Sequence, residues 1–587
     1  MSSALASLER ARTALTGTVV LLGVSAGVAG FVTIFVVAST FAFAVIQRTR
    51  ELALLRLVGA TPRQVRRMIL GESLLLGAVG CLIGCLIGLV GAPVLAATLV
   101  SGGIAPSWFE TGISPVPLLL ACLAGLTVSL LGVSAASRRA ATVRPTEALR
   151  EASADTPGAR RVRSPRTWWG LGLLAIAIMG MAVVAVAQPD LAAVPVVYLW
   201  VLLMPIAAAA LLAPALIPPV VRLLTWPWAR GGGAVGMLAR ENLLTMVRRT
   251  AATATPVLLT VGLSITLLGA LETIGQARVA EAADQLRADH VLVPDGASGI
   301  SPEALQKARS VPGAQVAALA AVTVDVTDEF DVTEEFWGYA TEPGALAATT
   351  RLPVVAGSLN DLGPDGIVVT RRWEQGVGQR VEVTPAGGKP VTLKVAAVIE
   401  SGVGGTDFYV DASRAGRSPV EVAYVKGRAL PGEGVKVLTK AEWVDAVQDS
   451  DQGTSVIGMM VTLGIAVVYS CISIVNTMVM AAAGRRRDLV MLLLAGATSR
   501  QAVASLLMES VVVVAVGIVL AAGASALNFA GLLAALTQLF PDASLVIPWG
   551  PVSALTAAGA VLAVAATVLT ARATLRTPVM ARAIAAE

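Results

Sequence analysis

Residues 48–64, RTRELALLRLVGATPRQ, return 437 positions later as residues 485–501, RRRDLVMLLLAGATSRQ. The same offset carries Glu72-Ser73 onto Glu509-Ser510, so one register holds from Arg48 to Ser73. A register kept over that length marks an internal duplication, not shared composition. In each copy an apolar run ends in arginines and an acidic residue, breaks at Gly-Ala-Thr, and restarts in a segment leading to Glu-Ser and a further apolar run. Glycine ends a helix in a backbone conformation that other residues resist, and threonine caps the helix that follows. The pattern predicts a short helical elbow in each half, over residues 47–72 and 484–509. An amphipathic piece is expected to lead from each elbow to Glu-Ser and the next membrane span.

Outward from the elbows the chain is strongly apolar. Of 587 residues, 55% are hydrophobic and 14% charged, with mean hydropathy +0.75, whereas a soluble domain carries about 25% charge. About nine stretches can cross a bilayer, which takes roughly 20 apolar residues: Thr18–Ile46, Ser73–Val100, Pro117–Ala136, Trp168–Ala187, Leu191–Val221, Thr250–Leu271, Ser455–Ala483, Ser510–Leu539 and Pro551–Ala571. None holds an Asp, Glu, Lys or Arg. A charge at mid-bilayer costs roughly 2.5–3.5 kcal/mol on insertion scales, so a proton or ion relay through the centre is not expected. Proline breaks at Pro93, Pro205, Pro214 and Pro256 fit a secondary transporter, but such a site calls for polar or charged companions that are missing here.

Arginine assigns the sides, because short cytoplasmic loops collect Lys and Arg. The connections after the first, third, fifth, seventh and ninth stretches hold clusters such as Arg63, Arg66 and Arg67, Arg138 and Arg139, Arg248 and Arg249, and Arg485 to Arg487. The short loops between them carry Glu110, Asp190 and Asp542 with no Lys or Arg. The C-terminus is thereby expected in the cytoplasm and Met1 outside, although Arg10 and Arg12 precede the first stretch. Net charge is +5. Its arginines flank apolar runs, so they point to membrane topology and anionic lipid, not to nucleic acid.

Between the sixth and seventh stretches lies a polar insert, Glu272 to Gln452, which the alternation of sides places outside the cytoplasm. A helical charged run is expected over Gln276–Asp289 and a helix over Ser301–Ser310. Strands are expected at Val316–Val326, Gly366–Thr370, Val381–Val383 and Val391–Ile399, parted by turns at Pro364-Asp365-Gly366 and Ala386-Gly387-Gly388. The insert has one histidine, His290, no cysteine, and no nucleophile paired with a base, which argues against a membrane hydrolase. Cys81, Cys85, Cys122 and Cys471 all lie in apolar runs and read as packing residues. Gly387-Gly388-Lys389-Pro390 lacks the spacing and hydroxyl of a phosphate-binding loop, so neither ATP hydrolysis nor a cofactor is expected in this chain.

The duplicated motif resembles that of the FtsX-like permease family of ATP-binding-cassette systems, which includes MacB-type exporters and lipoprotein-releasing permeases. Its first copy is carried by Arg48, Glu51, Leu55, Arg56, Gly59, Ala60, Thr61 and Gln64; Arg63 lies within it. The second is carried by Arg485, Asp488, Leu492, Gly496, Ala497, Thr498 and Gln501, with Arg500 inside it. Asp488 stands for Glu, and Leu493 for the Arg of the first copy. Family-like turns recur at Ala356-Gly357-Ser358-Leu359 and Gly376-Val377-Gly378.

The resemblance implies an α-helical polytopic membrane protein with a duplicated three-helix core and one α+β extracytoplasmic domain. The expected organisation is an extracytoplasmic segment over 1–17, a first core over 18–150, a linker with two spans over 151–249, a transmembrane helix over 250–271, the outer domain over 272–452 and a second core over 453–587. Compared with a long family variant, the first copy begins at its second helix, without the initial helix and outer domain. The implied function is that of a permease subunit in the plasma membrane. Partner ATPase subunits, as a dimer, would press on the elbows at Glu51, Arg56, Gly59, Ala60, Thr61, Arg63, Asp488, Gly496, Ala497, Thr498 and Arg500. Membrane lipid and an extracytoplasmic accessory or substrate protein are the other implied partners. Export or extraction of a substrate and mechanical activation of an outer enzyme are both compatible with the resemblance.

Overall fold

The computed structural model describes residues 22–37, 40, 49–101, 108, 109, 112, 114–142, 165–193, 195–231, 234–295, 299–327, 333–385, 389–400, 402, 403, 406–416, 418–430, 432–446, 464, 468, 471–477, 479, 496, 498–540 and 543–575. The expected segment 1–17, most of the seventh stretch, and Asp488 and Ala497 of the second elbow lie outside the described residues.

In chain order the helices begin with α1 (Leu22–Val37), α2 (Thr49–Leu57), α3 (Pro62–Ser101), α4 (Pro115–Thr142), α5 (Pro165–Ala187), α6 (Pro195–Leu224), α7 (Ala234–Thr245) and α8 (Val247–Gln285). A sheet region follows: β1 (His290–Pro294), α9 (Pro302–Arg309), β2 (Gln315–Thr327), β3 (Thr333–Thr341), α10 (Pro343–Thr349), β4 (Val354–Gly357), β5 (Gly366–Thr370), β6 (Arg380–Pro385), β7 (Val391–Ile399), β8 (Phe408–Asp411), β9 (Val420–Lys426) and β10 (Val435–Thr439). The chain returns to helix in α11 (Ser499–Leu539) and α12 (Trp549–Leu575). Two compact units result, a sheet-containing one centred on Thr273–Ser455 and a helical one holding nearly all the rest.

Among the described residues six helices are long and apolar enough to cross a membrane, namely α3, α5, α6, α8, α11 and α12; α1 and the first part of α4 are shorter apolar helices. The chain is a mostly helical polytopic membrane protein with a sheet-containing domain. One expectation changes. The elbow segment and the span after it are not separate pieces but single helices, α3 of 40 residues and α11 of 41. No proline interrupts the run from Arg63 to Ser73, and its buried face, Val65, Ile69 and Ser73, recurs every fourth residue.

The helical unit packs around α8, whose apolar stretch is 83% buried. Val257, Leu258 and Val261 of α8 share one core with Ile206, Ala210 and Ile217 of α6 and with Val513, Val516 and Ala521 of α11. Threonine hydroxyls along α8 return to carbonyls four residues back, as from Thr255 to Ala251 and Thr260 to Pro256, so their polar atoms are satisfied within the helix. Across helices, Asn528 of α11 donates to the Leu202 carbonyl of α6 at 3.0 Å and to Thr266 of α8 at 3.2 Å, and the Thr266 and Ser525 hydroxyls bond at 3.0 Å. Between α3 and α4 the Cys85 and Cys122 sulfurs approach to 3.3 Å and Cys81 donates to the Cys122 carbonyl. Packing thus brings Cys122 to the pair that the sequence sets four residues apart.

In the sheet unit the strand order is β10-β1-β9-β2-β3-β8-β5-β7-β4, with β6 pairing β2 and β7. β3–β8 and β5–β7 are parallel, and the other pairs antiparallel. Successive β5 residues face opposite sides: Val368 joins Tyr409, Tyr424 and Trp443 in one core, while Ile367 and Val369 join Phe336, Trp373 and Phe408 in another. Both faces are covered, which is why Gly366–Thr370 reads as a continuous apolar run. The helical run expected to Asp289 stops at Gln285 instead. Leu286 bridges Thr350, Arg287 N–H donates to the Thr349 carbonyl, and Asp289 N–H to that of Val425. Pairing with the sheet ends the helix there.

Candidate functional site: the two elbows

The first elbow is closed at both ends by backbone geometry. α2 ends in a Schellman arrangement, with Ala60 N–H donating to the Leu55 carbonyl at 3.0 Å and Gly59 N–H to that of Arg56 at 3.2 Å. Gly59 carries φ +107°, a conformation open to glycine and strained for most side chains. Two residues later Thr61 caps α3. Its N–H donates to the Gln64 side-chain oxygen at 2.9 Å, while Gln64 N–H reaches back to the Thr61 hydroxyl at 3.4 Å. This reciprocal capping box satisfies two otherwise orphaned donors at the helix start. Pro62 sits at the first helical position, where its missing N–H costs nothing.

The second elbow repeats the device residue for residue. Gly496 carries φ +85°. Thr498 N–H donates to the Gln501 side chain at 2.9 Å, and Gln501 N–H to the Thr498 hydroxyl at 3.3 Å. The bases of the emerging helices are buried on the same face, with Val65, Ile69 and Ser73 of α3 matched by Ala502, Leu506 and Ser510 of α11. Val65 and Ile69 form a small core with Leu52 of α2 and Val133 of α4, so the first elbow is braced against its own helices. Ser510 donates to Thr567 of α12 at 2.9 Å.

Of the sequence-derived site residues, Glu51, Gly59, Thr61 and Arg63 are exposed, Arg56 and Ala60 half-buried, and Gly496, Thr498 and Arg500 exposed. Asp488 and Ala497 lie outside the described residues. The two copies differ in charge: Arg66 and Arg67 of the first stand where the second has Val503 and Ala504. They differ in environment too, since Glu72 is exposed and Glu509 only 7% exposed. Gln64 and Gln501 were readable in the repeat as part of an Arg-Gln pair. Their capping role follows from Thr-x-x-Gln spacing, a signal present in the sequence. Among the described residues no group of three or more His, Cys, Asp or Glu is placed to hold a metal ion.

In the sheet unit the titrating groups serve structure. Burial raises the Tyr409 phenol to about 12; it accepts a hydrogen bond from Val403 N–H at 3.1 Å. The Glu442 carboxyl is held below its ordinary range, first by Thr439 N–H at 2.8 Å and then by the Thr439 hydroxyl at 2.9 Å, a third capping box.

A membrane core present twice, each copy entered through a glycine-stopped, threonine-capped elbow, defines a permease-type module. Residues 23–145 and 460–579 both match the family described as FtsX-like permease C-terminal. The chain carries two FtsX-like permease domains, the membrane component of ABC-type transporters. Among solved structures it is similar to the extracellular domain of the noncanonic ABC-type transporter YknZ from Gram-positive bacteria, with 16% identity over 25% of this chain and 98% of that one and a TM-score of 0.21. Among curated proteins none matches.

Proposed function

We propose that the chain is the transmembrane permease subunit of an ABC transporter. A separate pair of ATPase subunits docks on the two elbows, and their closure is coupled to motion of the sheet domain on the outer side for export or extraction of a substrate. The supporting observation is the repeated elbow: two capped turns at one register, each opening directly into an unbroken helix of 40 or 41 residues. A helix of that length spans about 60 Å at 1.5 Å per residue, enough to reach across a bilayer and beyond it as one stiff element. A push at Thr61 or Thr498 is then carried by a rigid body and needs no polar channel. The 39-residue α8, continuous through the boundary between the helical and sheet-containing sequences, supplies the mechanical route outward.

In this reading the chain lies in the cell membrane with its C-terminus and both elbows cytoplasmic, and the first and second cores are the domains over 18–150 and 453–587. Glu51, Arg56 and Arg63, with Asp488 and Arg500, make the charged contacts around Gly59-Ala60-Thr61 and Gly496-Ala497-Thr498. The first elbow, richer in arginine, takes the more acidic surface of its ATPase partner. The test is charge reversal of Glu51→Lys together with Asp488→Lys in the complex purified with its ATPase. Truncating one partner of a buried charge pair costs about 2–5 kcal/mol, so stimulation of ATP hydrolysis by the permease is expected to vanish while membrane insertion is retained. Full stimulation by the double variant would remove these acids from the coupling surface.

A further inference from the structure

Helices α3 and α11 begin at equivalent positions, Pro62 and Ser499, and neither is interrupted, so the 437-residue offset holds along both. On α11 four residues meet neighbouring helices in the unit's interior. A Cβ on Gly517 would lie 2.8 Å from Val257 Cβ and 3.1 Å from the Ala254 carbonyl; Ala521 is 3.7 Å from the Cβ position of Gly262; Ser525 bonds Thr266; and Asn528 bonds Thr266 and Leu202. Three of these four, and part of the fourth's bonding, are with α8. The offset places Gly80, Gly84, Gly88 and Gly91 at those positions on α3.

All four glycines are exposed, and among the described residues no atom lies within 4 Å of a Cβ built on any of them. Spacings of four and three put them on one helix face. None of the apolar stretch of α3 is buried, against 56% of that of α11. A glycine face is what close helix association in a bilayer uses, because backbones approach and dispersion replaces the absent hydrophobic drive. The repeat supplies the independent observation of what such a face receives, since its equivalents hold a transmembrane helix.

We propose that the Gly80-Gly84-Gly88-Gly91 face of α3 seats a transmembrane helix of a separate polypeptide, apolar and of the small-residue kind that α8 presents through Ala254, Gly262 and Gly269. The chain's own α8 is occupied by α11, and α4 packs on the neighbouring face of α3 at Gly77 and Cys81. With glycine where α11 has Ser525 and Asn528, the partner needs no hydroxyl, and close packing alone holds it. The proposal does not depend on ATPase docking at the elbows.

The experiment uses the full chain with its four cysteines replaced by alanine and an acceptor dye at Ser101→Cys, in phosphatidylcholine–phosphatidylglycerol vesicles. A synthetic peptide of residues 247–272 with a donor at its C-terminal end is the probe helix. Saturable energy transfer is expected, weakened about tenfold by Gly84→Leu with Gly88→Leu. A smaller weakening is expected for Gly88→Ala, and no change for Leu82→Phe on the opposite side of α3. Transfer that only rises in proportion to peptide density in every variant would overturn the proposal in favour of a lipid-covered face. Pairing of labelled chains with one another that the peptide does not reduce would overturn it in favour of a second copy.

Discussion

Thr498 and Gln501 exchange hydrogen bonds at the start of α11, and Thr61 and Gln64 do the same at the start of α3, with bond lengths agreeing to about 0.1 Å. A capping box kept in both copies fixes where each long helix begins and therefore the angle at which the elbow leaves it. Loss of a cap costs about 0.5–2 kcal/mol of helix-end stability. The Gln64→Ala, Gln501→Ala double variant is expected to insert normally, to show faster amide exchange over the first turn of α3 and α11, and to couple ATP hydrolysis less tightly. Hydrogen exchange read by mass spectrometry on the full chain checks the local effect, and unchanged protection at both starts would contradict it.

Orientation is tested by labelling. Cysteine introduced at Ser101 or Asp411 is expected to react with an impermeant thiol reagent on intact cells, and cysteine at Ser153 is not, with the four native cysteines replaced beforehand. The arginine clusters dictate that order. Labelling at Ser153 with protection at Asp411 would reverse the proposed sidedness of the sheet domain.

Glu442 gives the sheet unit a pH-dependent latch. Its folded pKa lies below that of the unfolded chain because Thr439 N–H and hydroxyl favour the carboxylate. The contribution to stability is therefore present above the unfolded carboxylate range, near pH 4, and is lost as pH falls through the folded value. Amide protection over residues 440–446 is expected to drop in acid in the native chain. In Glu442→Gln, whose amide oxygen still accepts but does not titrate, protection is expected to become insensitive to pH across that window. An acid-induced drop of the same size in both proteins would assign the effect to another group.

The elbows were legible because helix stops and caps are local: glycine, threonine and their spacing carry the geometry before any packing forms. The β5 and β7 strands were legible for a related reason, since both faces are buried and the apolar run is unbroken. By contrast β1, β8 and β9 were not, because His290–Pro294, Phe408–Asp411 and Val420–Lys426 are short and acquire their place from partners more than a hundred residues away or from parallel pairing. The meeting of Cys122 with Cys85 and the bonds of Asn528 depend on which helices become neighbours, and no periodicity within one helix encodes that. The glycine series of α3 has a visible spacing, yet its meaning appears only when the 437-residue offset lays it on residues of α11 whose contacts are known.

Gly517 and Gly80 provide a matched pair in which that offset becomes measurable. They occupy one register on helices of nearly equal length, so a valine at either position changes intrinsic helix preference by a similar amount. What differs is the space: at Gly517 a Cβ meets Val257 and the Ala254 carbonyl of α8, whereas at Gly80 nothing among the described residues lies within 4 Å. Overpacking a filled interface costs about 1–3 kcal/mol. Gly517→Val is therefore expected to lower the midpoint of thermal unfolding of the purified chain in detergent, and Gly80→Val to leave it near the native value. Compensation is also expected, because shortening the opposing side chain by Val257→Ala makes room for the new methyls and should recover part of the Gly517→Val loss while doing nothing for Gly80→Val. Equal destabilisation by the two valines would mean that the helices are not in the same register with respect to their surroundings, and the equivalence of the α3 and α11 faces would fail with it.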